Sequence, residues 1–141
     1  MSNPRKLLDS LGNLRKAVDK LEQALQVPRD RELVVEGTIQ RFETVVELVW
    51  KTLKRGLKYE GIHPNSPRET MVEGFAAGWL SGEIVWQDLL DHRNKSSHEY
   101  LDDDFIDEYY DEIGELFTPI KDLLEFLESR YSSLSSCSPN K

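Results

Sequence analysis

Cysteine is almost missing from this chain: among 141 residues there is only Cys137. A lone thiol cannot close an internal disulfide, which fits a reducing compartment and makes a cytoplasmic protein the expectation. Long apolar runs are missing too, and none approaches the ~20 residues that span a bilayer. The start, Met1-Ser2-Asn3-Pro4-Arg5-Lys6, turns amphipathic without the continuous apolar stretch of a signal peptide. The three histidines are scattered and no Cys/His cluster has zinc-ligand spacing, so neither metal nor other cofactor is expected. No segment alternates apolar and polar residues with period two, which leaves no signal for a sheet.

Positive charge is short overall, with a net of −8. That argues against non-specific nucleic-acid binding by the whole surface. The balance is uneven, however. Residues 1–60 carry 12 Lys and Arg against 9 Asp and Glu, whereas residues 61–141 carry 6 against 17. Any contact with RNA therefore needs a local basic surface. Lys51, Lys54, Arg55 and Lys58 form the candidate cluster, for RNA or a partner, although such residues often just solvate a helix face.

What is abundant is helical periodicity. Leu7, Leu11, Leu14, Val18, Leu21 and Leu25 recur at 4, 3, 4, 3, 4, a helical seam. Val27-Pro28 closes that segment, because a residue before proline avoids the helical region, and Asp30 is placed to cap the next one. A second helix is expected from about Arg31 to Tyr59, with Val35, Phe42, Val45, Val46, Val49, Leu53 and Leu57 inside, stopped by Gly61 and Pro64. Ser66-Pro67-Arg68-Glu69 reads as a capping box with proline at the first helical position. That third helix is expected to run through Trp79 and break at Ser81-Gly82. A fourth runs from Glu83 through Trp86, Leu89 and Leu90 to Arg93.

The acidic turn Asp102-Asp103-Asp104 favours a helix start after it. A fifth helix then repeats Ile106, Tyr109, Ile113, Leu116, Ile120, Leu123 and Leu127, with Pro119 set to kink or divide it. The reading is all-α: an antiparallel up-and-down bundle of about five helices over residues 1–131, with residues 132–141 a disordered tail.

One stretch points at chemistry. Arg93-Asn94-Lys95-Ser96-Ser97-His98-Glu99-Tyr100 sets out the pattern R-x4-H-x-Y. Arginine holds a phosphate in a planar fork of donors, and histidine moves protons near neutral pH. Cleavage of an RNA phosphodiester needs a base for the ribose 2′-hydroxyl, a cation for the growing phosphoryl charge and an acid for the leaving oxygen. His98 serves as base or acid and Arg93 as the cation, with Asn94 and Ser97 supporting. A two-fold dimer would supply a second His98 and Arg93, which favours a site across a homodimer interface. On an unbroken helix Arg93 and His98 point about 140° apart, so the helix must end between them or a partner must complete the site. Asn94, Ser96 and Ser97 are poor helix formers and suit such an end. His63 and His92 read as ordinary surface residues, and Trp50, Trp79 and Trp86 as core or interface.

The chain resembles the nucleotidyltransferase substrate-binding proteins, part of the HEPN superfamily of small helical domains. The resemblance lies in Gln40-Arg41-Phe42-Glu43, Glu47-Leu48-Val49-Trp50-Lys51, Ser66-Pro67-Arg68-Glu69, and Trp86 followed by Asp91 to Tyr100. It covers roughly residues 5 to 130. Glu99 stands where the family usually has threonine. The resemblance implies a HEPN-like bundle, a homodimer, and binding to a minimal nucleotidyltransferase. Some relatives are toxins of toxin–antitoxin pairs that cut RNA without metal through R-x4-H and are silenced when the nucleotidyltransferase attaches AMP to the motif's tyrosine. Carried over, Arg93 and His98 are catalytic and Tyr100 accepts AMP. The competing expectation is a non-catalytic subunit that binds a nucleotide or substrate and presents it to that enzyme. A third is a structural dimer whose motif only fixes the interface.

Overall fold

The structure is a computed structural model and describes residues 4–31, 33–82, 86, 89, 91 and 103–136. Among them are five helices: α1 (Pro4–Leu25), α2 (Val34–Tyr59), α3 (Pro67–Ala76), α4 (Asp103–Arg130) and α5 (Ser132–Ser136). The described residues contain no strand. Trp86, Leu89 and Asp91 are the described part of the fourth predicted helix. All three are helical, and Trp86 and Leu89 are buried.

Contacts between elements set their directions. Arg41 Nη1 of α2 donates to the Lys20 carbonyl of α1 (2.8 Å), and Thr52 Oγ1 donates to the Ser10 carbonyl (3.4 Å). Rising numbers on one helix meet falling numbers on the other, so α1 and α2 are antiparallel. Ion pairs at three levels join α1 and the loop after it to α4: Arg15 with Glu128 at 2.6 Å, Glu22 with Lys121 at 3.1 Å, and Arg29 with both Asp111 at 2.7 Å and Asp107 at 3.3 Å. Their charge alternates in sign along the seam, so a slip of one pair onto the next sets like charges together. Partly exposed pairs such as these are worth about 0–1 kcal/mol each, and their use here is to hold register. Arg15 is the best placed, gripping both carboxylate oxygens of Glu128.

α4 is antiparallel to α1 and parallel to α2. Phe42 meets Tyr109 edge-on with ring centroids 5.9 Å apart, while Tyr131 just after α4 reaches Glu60 just after α2. The core runs along this three-helix contact. Leu7, Leu11, Leu14, Val18 and Leu21 enter from α1, Phe42, Val45, Val46, Val49, Leu53 and Leu57 from α2, and Tyr109, Ile113, Leu116, Ile120, Leu123, Leu124 and Leu127 from α4.

Helix ends show where local chemistry decides. α2 stops as expected at Gly61, which adopts φ 92°. The Ile62 amide donates to the Leu57 carbonyl and the Gly61 amide to the Lys58 carbonyl, the paired bonds of a Schellman end. α3 ends the same way and earlier than the sequence reading placed it. Gly78 takes φ 81°, and the Trp79 and Gly78 amides donate to the Gly74 and Phe75 carbonyls. Trp79 is therefore outside the helix and turns its ring across Gly56. A methyl group added at Gly56 would sit 3.1 Å from Trp79 Cζ3.

The start of α3 is as read, with a shift of one residue. The Ser66 hydroxyl accepts from the Glu69 amide (3.0 Å), and the Glu69 carboxylate accepts from the Asn65 amide rather than the Ser66 amide (2.7 Å).

Two expectations are corrected and a third is narrowed. Asp30 does not cap α2: turns at Pro28–Arg31 and Arg31–Val34 carry the chain further, and Leu33 fills the cap position in a left-handed conformation without a side-chain bond. Of the two outcomes expected at Pro119, a kink or a division, division does not occur, since Pro119 lies inside continuous α4. The segment expected to be disordered opens with α5, whose Leu134 packs partly buried against the core.

Candidate functional site

Arg93, Asn94, Ser97, His98 and Tyr100 lie outside the described residues, as does His92. The structure therefore describes the surfaces around the motif. Exposed His63, next to Pro64, fits its reading as an ordinary surface residue.

The four predicted cations are brought together. Lys51, Lys54, Arg55 and Lys58 occupy positions i, i+3, i+4 and i+7 of α2, which a helix sets on one face. Lys51, Arg55 and Lys58 are exposed and Lys54 is half-buried. None of the four pairs with a carboxylate among the described residues, whereas Arg15, Arg29, Lys121 and Arg130 all do. The register set by Thr52 on Ser10 also draws exposed Lys6 of α1 level with Arg55.

One to three turns back on α2 lies a shallow groove of about 400 Å³, lined by Gln40, Arg41, Glu43, Thr44 and Glu47. Arg41 is anchored there by its bond to the Lys20 carbonyl. Glu47 accepts from the Trp50 indole at 3.1 Å, which accounts for the polar edge of that half-buried ring. Glu43 lines the groove and Lys51 does not, so the two do not border it together. The groove has carboxylates at its rim and suits hydroxyl or amino groups better than a bare phosphate.

A second cavity of about 450 Å³ is more apolar. Trp79, Trp86, Pro119, Leu123 and Phe126 supply its walls and Asp122 a carboxylate. The Trp86 indole is satisfied by the Ser81 carbonyl at 2.8 Å, so the ring acts here as a buried wall. Sequence reasoning missed this cavity because it forms only where α4 passes the chain after α3. Its one local signal is Gly78, which frees Trp79 from the helix.

Tyr131, Glu60 and Arg130 close the far end of the bundle. Tyr131 Oη donates to Glu60 Oε2 at 2.7 Å, and Arg130 Nη2 lies 3.0 Å from the same oxygen. The Arg130 guanidinium also covers the Trp79 ring at 5.0 Å. The Tyr131 hydrogen bond, helped by Arg130, holds the Glu60 carboxyl below its ordinary range. Burial, then the neighbouring carboxylate, pushes the Tyr131 phenol from 10.0 up to about 12. The shifts fix the sign of the linkage. Stability from Glu60 is present above its unfolded value of 4.5 and is lost as pH falls through the lower folded value. Stability from Tyr131 is present below 10.0 and is lost as pH rises through about 12. Tyr131→Phe is expected to cost about 1–2 kcal/mol near neutral pH and to return the Glu60 titration toward its ordinary value. Urea unfolding and carboxylate NMR check both, and an unmoved Glu60 would contradict the assignment of cause.

No group of three or more His, Cys, Asp or Glu is placed to hold a metal ion among the described residues. None of their helices is long and apolar enough to cross a membrane. The family model described as nucleotidyltransferase substrate binding protein like matches residues 9–129, more than half of the chain. No curated protein matches the chain.

Proposed function

The chain belongs to the family described as nucleotidyltransferase substrate binding protein like, and from that premise we propose that it is a HEPN-type toxin, a metal-independent endoribonuclease silenced by a partner nucleotidyltransferase. The observation that carries the reading is the R-x4-H-x-Y pattern at Arg93, His98 and Tyr100, inside the matched span. His98 takes the proton from a ribose 2′-hydroxyl. The freed oxygen bonds to phosphorus as the bond to the 5′-oxygen breaks. Arg93 stabilises the charge on the phosphoryl oxygens, and a protonated histidine returns a proton to the leaving 5′-oxygen. One histidine cannot be both base and acid in the same step, so a homodimer that contributes a second His98 completes the set. Asn94 and Ser97 position the pair.

Silencing follows from the same residues. The Tyr100 oxygen attacks the α-phosphorus of ATP in the nucleotidyltransferase. The phenolic proton passes to a base, pyrophosphate leaves, and AMP stays on the tyrosine. A bulky anion two residues from His98 blocks an RNA phosphate by size and charge. Incubation with the cognate nucleotidyltransferase and ATP is expected to add the mass of one AMP per chain and to stop RNA cleavage. Tyr100→Phe is expected to resist both effects. AMP on another residue with cleavage intact would contradict this mode of control.

The family description favours one other reading. In it the chain binds a nucleotide or substrate and presents it to the nucleotidyltransferase, with Arg93 holding a phosphate and His98 only hydrogen-bonding it. That reading predicts nucleotide binding without RNA cleavage.

A further inference from the structure

We propose that the basic stripe Lys51, Lys54, Arg55 and Lys58 on α2 is a rail for the phosphate backbone of the RNA substrate. This rests on the RNA-cleaving reading for the choice of RNA among polyanions, while the rail itself rests on geometry. Seven residues of helix rise about 10.5 Å. Along a double helix each strand advances roughly 3.4 Å of axis per phosphate, so the four cations span about three phosphate steps of such a strand.

The composition of the face points the same way. Lysine is depleted from the cores of protein interfaces, yet three of these four cations are lysines. A point charge on a long stem follows a flexible phosphate chain without fixing its sequence. The four lack internal carboxylate partners among the described residues although the chain carries a net charge of −8. Lys16 and Lys20 on α1 are joined by Arg41 of α2, whose guanidinium is tied to the Lys20 carbonyl.

The surroundings bound the rail. Toward the start of α2, Glu43 and Glu47 line the groove next to it and repel phosphate. The exposed carboxylates of α4, among them Glu108, Glu115, Asp122 and Glu125, repel a strand from that helix. At the other end, Lys6 extends the positive surface across the α1–α2 seam. The positive surface thus runs along α2 and onto Lys6 of α1.

The test measures binding of a fluorescent oligouridine by anisotropy across a salt series. It uses the full chain carrying His98→Ala so that no RNA turns over. The rail variant adds Lys51→Gln, Arg55→Gln and Lys58→Gln. A charge-matched variant adds Lys16→Gln, Lys20→Gln and Arg31→Gln instead. All six positions are exposed, and thermal melts confirm that both variants fold.

The rail variant is expected to bind at least about tenfold more weakly at low salt. Its slope of log affinity against log salt should fall by about 2, at roughly 0.7 per lost phosphate contact on a single strand. The charge-matched variant should keep most of the affinity and slope. Equal losses in both variants, or none in either, would overturn the rail. ATP binding that depends on the stripe, with no such dependence for oligouridine, would also overturn it in favour of a nucleotide site. The two readings fail separately. If the protein with His98 intact never cuts RNA but the stripe dependence holds, the nuclease reading falls and the rail stands. If it cuts RNA and the stripe variants bind alike, the rail falls and the nuclease reading stands.

Discussion

His98→Ala is expected to lower the single-turnover rate of RNA cleavage by about 10²–10⁴-fold, the usual worth of a positioned general acid–base. The alanine leaves nothing at that position to take the 2′-hydroxyl proton or to protonate the leaving oxygen. Arg93→Ala should also be slow, by losing charge stabilisation. Arg93→Lys should recover only part of the rate, because an ammonium keeps the charge and loses the planar fork. Tyr100→Phe should cleave normally, since the phenol accepts AMP and takes no part in cleavage. Timed gels on a defined RNA separate these cases. An unimpaired His98→Ala protein would remove histidine from the chemistry and leave the phosphate-holding role of Arg93.

Phe42→Ala is expected to cost about 3–5 kcal/mol of stability, the range for deleting a large buried aromatic side chain. Phe42 is fully buried at the meeting of α2 and α4, and its ring abuts Tyr109 edge-on. Removing it leaves a cavity between two parallel helices that Val45 and Val46, held by their own packing, cannot fill. The aromatic pair adds roughly 0.5–1.5 kcal/mol beyond area burial. Val72→Ala, at an exposed position of α3, should stay within about 0.5 kcal/mol. Urea unfolding of both variants measures the contrast. A loss below about 1 kcal/mol for Phe42→Ala would mean that α2 and α4 are not joined there.

The two residues sit at different distances from what a sequence can reveal. Phe42 was legible as core because α2 repeats its apolar positions with the helical period, and Tyr109, Ile113, Leu116 and Ile120 repeat the pattern on α4. Leu124 carries no such signal, because it lies beside the repeating seam positions, yet it is fully buried. Buried Thr38 and Thr52 were missed for a related reason. Each hydroxyl is satisfied by a backbone carbonyl, of Val34 and Ser10 respectively, and only the second bond depends on tertiary packing.

Helix ends were legible where glycine had to adopt a positive φ. Gly61 is such a case, with φ 92° at the end of α2. Gly78 obeys the same local rule, its amide and that of Trp79 closing α3, but Ser81-Gly82 offers the stronger break signal in the sequence. Leu33 could not be foreseen, since its left-handed conformation runs against its own preference and is imposed by the turns before it. Gly56 was equally silent, because a glycine inside a helix gains meaning only when the Trp79 ring lies against it.

The candidate site divides along similar lines. The chemistry of Arg93, His98 and Tyr100 is legible from residue type and spacing, while its geometry falls outside the described residues. The α2 stripe is legible from i, i+3, i+4, i+7 spacing, but its want of carboxylate partners emerges only from the packed surface. The Gln40–Glu47 groove and the Trp79–Trp86 cavity depend on how helices meet.

The most direct test incubates the purified, unmodified protein with total tRNA in EDTA, beside His98→Ala protein shown to be folded and dimeric. The account predicts that the unmutated chain cuts RNA and the variant does not. Intact RNA in both reactions would contradict the nuclease reading for these RNAs and leave the nucleotide-presenting subunit as the function the family and the motif support.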